Sequence, residues 1–179
     1  MIKFEKVSKE QFIKDCVNIL HVSEKDAEKY YNNVKIPTRG SAGAAGYDFY
    51  TPVSFTVSNK GTHYDVNGNP VVLDSETVTI PTGIRAVMPS DLFLQIVPRS
   101  GVGFKTGVRL ANSVGVIDHD YFQSPNEGHI MIKLTSGFKQ FDASVGDRIA
   151  QGIFLKYYTT DDDETTTIRK GGFGSTGAW

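Results

Sequence analysis

The chain has 179 residues, 39% of them hydrophobic and 22% charged, which suits one domain with a sizeable core and excludes collagen, a disordered tail and a disulfide-stapled mini-protein. Nineteen Lys and Arg stand against 20 Asp and Glu, a formal charge of -1, so sequence-independent nucleic-acid binding has no electrostatic footprint. The single cysteine, Cys16, cannot form an internal disulfide, and neither a signal-peptide core nor an apolar run near the ~18 residues of a membrane span is present; the expected setting is the cytoplasm.

Residues 8–34 follow a helical period. Phe12, Ile13, Cys16, Val17 and Leu20 share one face, and Ser8 with Gln11 predicts a capping box. A second helix begins near Ser23, with Ala27, Tyr30, Tyr31 and Val34 at the same spacing, and Pro37 stops it. Residues 1–35 therefore read as an N-terminal helical extension. Cys16 lies on the apolar stripe and reads as packing, since free cysteine behaves as a small hydrophobe.

Beyond Pro37 the period changes to two. Val53, Phe55 and Val57 alternate with Ser54, Thr56 and Ser58, and further strands are predicted at 71–73, 77–80, 84–88, 92–97, 108–111, 129–134 and 149–158. Turn signals separate them: Asn67-Gly68, Pro81-Thr82-Gly83 and Ser136-Gly137. Many short strands with frequent turns predict a mainly β body, a sandwich, jelly roll or small barrel, over 36–168. Residues 159–167 are Thr and Asp apart from Glu164 and read as a solvated linker; a glycine-rich tail over 169–179 follows.

Single polar features decide little. His21, His63, His119 and His129 lack zinc-site spacing. The tail from Lys170 to Gly177 offers backbone donors and hydroxyls suited to phosphate oxygens, but not in P-loop order. Asp118 and Asp120 alone could be solvated loop carboxylates, and Pro98-Arg99-Ser100-Gly101 a strand ending in a turn.

Their order carries more. Ala45-Gly46-Tyr47-Asp48, Arg99-Ser100-Gly101, the stretch from Asn112 to Tyr121, Arg148-Ile149-Ala150-Gln151, and Gly171-Gly172-Phe173-Gly174-Ser175-Thr176-Gly177 follow one another along the chain. In that order they resemble the five motifs of the homotrimeric dUTPases, the dUTP diphosphatases. With its N-terminal extension and Asn126-Glu127-Gly128-His129 after the third motif, the chain is similar in character to dUTPases of Gram-positive bacteria and their phages.

The resemblance implies a β-barrel or jelly-roll subunit assembled as a homotrimer, with each active site built from all three chains. It implies water attack on the α-phosphorus of dUTP, giving dUMP and pyrophosphate, which limits uracil in DNA and supplies dUMP for thymidylate synthesis. Mg2+ would arrive on the triphosphate, with no direct protein ligand and Asp48 touching it through water. Uracil and deoxyribose would be held by Asn112, Gly115, Ile117, Tyr121, Met131 and Phe173. A tight hairpin leaves no room for a thymine methyl, and cytosine would present mismatched hydrogen-bond partners. The phosphates would meet Arg99, Ser100, Gly101, Gln151, Arg169, Gly174, Ser175 and Thr176, with the tail closing as a lid and Arg148 serving structurally. Asp118, three residues before Tyr121, is the implied holder of the attacking water, and Asp120 is its rival.

Two features depart from the family pattern. Arg169 stands four residues before Phe173 rather than five, with Ile168 in the usual place, and six residues from Phe122 to Glu127 intervene before Gly128. The N-terminal helices and the 59–70 insertion lie outside the shared core. The competing readings are a dCTP deaminase relative and, in addition to catalysis, a regulatory protein-binding role of the phage type.

Overall fold

The computed structural model describes residues 1–58, 63–64, 70–71, 77–167, 169 and 171. The Asn67-Gly68 turn and, in the tail, Ile168, Phe173, Gly174, Ser175 and Thr176 lie outside the described residues. A strand opens the chain: β1 (Lys3–Lys6) pairs antiparallel with β8 (Ile84–Val87), Phe4 opposite Ala86. Four residues are too few to display a period. Phe4 is fixed instead by aromatic neighbours, its ring centroid 5.4 Å from Tyr47, 5.5 Å from Phe49 and 5.2 Å from Phe154.

The helices α1 (Lys9–Leu20) and α2 (Glu24–Tyr31) follow the predicted spacing and bury Phe12, Cys16 and Ala27 completely. Burial pushes the Cys16 thiol up to about 12, so no reactive thiolate exists at neutral pH. Ser8 Oγ accepts from the Gln11 amide at 3.1 Å, but the predicted capping box is only half made. The Gln11 side chain turns to Asp15 at 2.8 Å, and Glu127, 119 residues away, accepts the Ser8 N–H at 2.7 Å and the Ser8 hydroxyl at 2.6 Å. A carboxylate that takes two donors with a full charge outcompetes a neutral amide.

This contact has a pH signature. The two Ser8 donors hold the Glu127 carboxyl below the usual carboxylate range, with burial opposing them and Arg85 adding a smaller attraction. A lowered folded pKa contributes stability above the unfolded value, about 4.3 for Glu, and loses it as pH falls through the folded one. The stability gap between wild type and Glu127→Gln is therefore expected to be full at pH 7 and to shrink below about pH 4.3. Urea titrations at several pH values check this, and a gap that widens in acid would contradict it.

The remainder is mainly β. One antiparallel sheet of five strands comprises β2 (Thr38–Arg39), β3 (Tyr47–Tyr50), β9 (Leu92–Pro98), β11 (Gly115–Ile117) and β14 (Arg148–Lys156), in the order β11-β9-β14-β3-β2. A second of three strands comprises β7 (Thr77–Pro81), β10 (Arg109–Leu110) and β12 (Met131–Thr135), in the order β10-β12-β7. Two further antiparallel pairs join β4 (Phe55–Val57) to β13 (Phe141–Ala143) and β5 (His63–Tyr64) to β6 (Pro70–Val71). Among the described residues the sheets do not close into the expected barrel, because no ladder joins the five-stranded sheet to the three-stranded one. Phe49, Ile80, Leu94, Ile132, Leu134 and Ile149 are buried in the core, as period-two strands require.

Two local features place the site. Residues 98–101, predicted as strand and turn, lead into a helix, α3 (Ser100–Thr106), which ends at Gly107 in the left-handed conformation, φ 72°. In β14 a bulge lies between Arg148 and Ala150: Arg148 pairs with Tyr50, Ala150 with Phe49 and Gln151 with Asp48. The extra residue sets Arg148 and Gln151 on the same side as Asp48 and Tyr50, which a regular strand could not do.

Candidate active site

The sheet end formed by β3, β9 and β14 gathers a charged cluster. Asp48 is 7% exposed; its Oδ1 accepts from Arg99 Nε at 2.8 Å and its Oδ2 from Arg148 at 3.2 Å. One buried carboxylate thus aligns two guanidinium groups, of which Arg148 is the more exposed. Gln151 donates to the Pro98 carbonyl at 3.3 Å. A Cβ on Gly46 would stand 2.5 Å from Gln151 Oε1, so glycine at 46 is what lets the Gln151 side chain lie there. Ser100 and Gly101 open α3 ahead of Val102 and Gly103, whose amides both return to the Arg99 carbonyl. A methyl on Gly101 would meet nothing within 4 Å, which leaves the space over this turn open to a ligand.

A cavity of about 320 Å3 lies over β10, β11 and β12, lined among others by Asn112, Gly115, Ile117, Met131, Thr79 and Lys133. Ser113, with φ 62°, turns the chain between Asn112 and β11. A Cβ on Gly115 would come 3.0 Å from Ile96 Cβ, so the glycine permits close pairing of β11 on β9. Four residues grouped by the motif resemblance thus share one wall. Thr79 and Lys133 join them because β7 and β12 pair those two positions directly.

Asp118 follows β11 and stands just ahead of a 3-10 turn (His119–Gln123) that also carries Asp120 and Tyr121, without capping it through its side chain. Arg169 bridges the two carboxylates: its Nε donates to Asp120 Oδ1 at 2.9 Å, and its NH2 group donates to Asp118 Oδ2. Its guanidinium lies 5.7 Å from the Tyr121 ring centroid, a cation–π distance. A second cavity, of about 450 Å3, opens here between Phe93, Val116, Asp118, His119, Tyr157 and Arg169. Neither His119 nor Tyr157 was singled out by the sequence motifs.

Tyr121 is buried and lies outside both cavity linings. Its hydroxyl donates to the His129 carbonyl and accepts from Asn126 Nδ2, each at 2.9 Å. Burial, chiefly, pushes that hydroxyl up to about 12, which keeps it a donor at neutral pH. Among the described residues no cluster of three or more His, Cys, Asp or Glu offers a direct metal cage, and no helix is long and apolar enough to cross a membrane.

Known proteins resemble this chain in sequence and fold. The family model described as dUTPase matches residues 32–177. The deoxyuridine 5'-triphosphate nucleotidohydrolase of Lactococcus lactis is 37% identical over 156 residues, covering 84% of this chain and 93% of its own. The vaccinia virus (strain Copenhagen) protein of the same name is 36% identical over 155 residues, covering 83% and 90%. Among solved structures, the dUTPase from Streptococcus mutans superposes with a TM-score of 0.60 at 28% identity, covering 89% of this chain and 98% of its own. The dUTPase from phage phi11 of Staphylococcus aureus shares the fold at a TM-score of 0.58 and 15% identity, covering 94% and 97%. The motif order, the cavity wall and the carboxylate-aligned arginines therefore sit in a chain that belongs to the dUTPase family.

Proposed function

We propose that the chain hydrolyses dUTP to dUMP and pyrophosphate, by attack of a water molecule on the α-phosphorus, in a homotrimer whose sites are shared between subunits. The observation that carries this reading is the cavity lined by Asn112, Gly115, Ile117 and Met131, four of the residues that the motif order assigns to uracil and deoxyribose. Backbone groups at Gly115 read the base edge, with the Asn112 side chain beside them. Arg99, Ser100, Gly101 and Gln151 hold the phosphates, with Asp48 keeping Arg99 in place. Asp118, half-exposed just after β11, orients the attacking water for in-line attack.

The residues suit a magnesium ion carried by the substrate rather than one caged by the protein. Both Asp48 oxygens already accept from arginine, yet each keeps a lone pair for a metal-bound water. When bound, the ion neutralises charge on the phosphate oxygens. The tail from Phe173 to Thr176 closes over the base and the phosphates, excluding bulk water.

A trimer accounts for apolar groups left at the surface of one chain, Phe104 at 88% exposure, Phe138 at 74% and Val116 at 55%. The test combines two measurements on the intact protein. Pyrophosphate release from dUTP, with no ammonia release from dCTP, is expected; ammonia would indicate the deaminase. Light scattering is expected to give three times the 19.7 kDa of one chain, and a fully active monomer would overturn the shared site.

A further inference from the structure

The two parts of the chain that depart from the shared pattern, the N-terminal helix and the insertion after the third motif, meet at a buried histidine. His129 is 0% exposed. The Gly83 amide donates to its Nε2 at 2.7 Å, so the ring proton belongs on Nδ1, where Asp15 Oδ2 accepts it at 2.6 Å. Asp15 is itself held by the Gln11 side chain at 2.8 Å. One residue pair earlier, Glu127 grips both donors of Ser8 at the start of α1.

The loop needs that grip. Glu127 and Gly128 both take positive φ, 58° and 72°, and for a glutamate this conformation is unfavourable unless its surroundings enforce it. The reward of the conformation lies on the other side of the loop. It turns the His129 carbonyl and Asn126 Nδ2 onto the Tyr121 hydroxyl, at 2.9 Å each. Tyr121 closes the 3-10 turn by donating its amide to the Asp118 carbonyl at 3.1 Å. The chain of contacts thus runs from Asp15 and Ser8, through His129, Glu127 and Asn126, to Tyr121 and the turn that bears Asp118.

We infer that Asp15, together with the Ser8–Glu127 contact, is a positioning element for the reaction: the N-terminal helix sets the turn that aims the Asp118 carboxylate. This rests on the reading of Asp118 as the water-holding group. It gives the N-terminal extension a part in turnover although none of its residues enters either cavity. Asp15→Ala removes the acceptor for His129 Nδ1–H, whereas Asp15→Asn keeps an acceptor oxygen that the same N–H can reach. Misplacement of a reacting group from a distance can cost up to ~100-fold.

The experiment compares wild type, Asp15→Ala, Asp15→Asn, Glu127→Ala and a control, Glu28→Ala, which removes only the exposed Lys9–Glu28 ion pair between the two helices. Kinetics with dUTP are run well below the unfolding temperature of each protein, and amide hydrogen exchange is followed over residues 119–130. Asp15→Ala and Glu127→Ala are expected to lower kcat about tenfold with KM changed less than about twofold, and to speed exchange in that segment. Asp15→Asn and Glu28→Ala are expected to stay near wild type in both. Faster exchange with unchanged kcat would make the network merely structural and overturn the inference, as would unchanged exchange in Asp15→Ala; if that variant fails to fold, Glu127→Ala decides alone. A wild type inactive on dUTP would instead sink the functional reading, with the exchange data still deciding whether the helix holds the turn.

Discussion

Asp118→Asn is expected to lower kcat on dUTP by about 10² to 10⁴ while leaving dUTP affinity nearly unchanged. The substitution keeps the size and one acceptor oxygen but removes the charge and turns the second oxygen into a donor. Water orientation and polarisation fail, whereas the cavity lined by Asn112, Gly115, Ile117 and Met131, proposed for the base, is untouched. Binding should even improve slightly, because one negative charge facing the triphosphate disappears. Asp120→Asn is the necessary control, since Arg169 contacts both carboxylates and the geometry treats them alike. It should change kcat by less than about tenfold, in keeping with a group that anchors Arg169 and does not touch the water. Steady-state kinetics and equilibrium binding for both variants decide between the two; a severe loss in the Asp120 variant with a near-normal Asp118 variant would transfer the role.

The second large effect is expected at Asp48. Removing a buried partner from an ion pair can cost about 3–5 kcal/mol, but Arg99 and Arg148 both reach solvent, at 27% and 48% side-chain exposure. Screening reduces the expected loss for Asp48→Ala to about 1–3 kcal/mol. The kinetic loss should be larger in proportion. Without the carboxylate, two like-charged guanidinium groups face each other, and Arg99 swings off the position, proposed for phosphate, in which Asp48 holds it. We expect kcat/KM to fall about 10² to 10³. Urea unfolding and kinetics together check the split: a variant that loses stability yet turns over dUTP normally would show that Arg99 does not hold phosphate.

How much of this was legible in the sequence depended on run length. In β9, Leu92, Leu94 and Ile96 alternate with half-buried neighbours, so seven residues carried a clear period. β1 and β13 have four residues or fewer, and their pairing comes from partners far along the chain. α3 was hidden for another reason: Ser-Gly-Val-Gly-Phe-Lys-Thr contains two poor helix formers, and the helix is held by burial of Val102 and by the Thr106 hydroxyl, which donates to the Val102 carbonyl at 2.6 Å. Asn112, Gly115, Ile117 and Met131, which share one cavity wall, were grouped by motif order. Their neighbours Thr79 and Lys133 were not, because strand register put them on the same wall. The seat of Arg169 was equally invisible, since 51 residues separate it from Asp118.

The strand order of the larger sheet also governs when a newly made chain can work. β3 and β9 are not neighbours; β14 lies between them. Asp48 and Arg99 therefore cannot be brought into register until the ribosome has released residues 148–156, late in synthesis. Until then the nascent chain exposes two strands whose partner does not yet exist, and its pairings are of the non-local kind that form slowly. The β14 bulge makes the late arrival strict, since a strand slipped by one residue would turn Gln151 away from Asp48. A message truncated between β13 and β14 yields a chain that carries every residue lining the first cavity yet cannot hold Asp48 in register with Arg99.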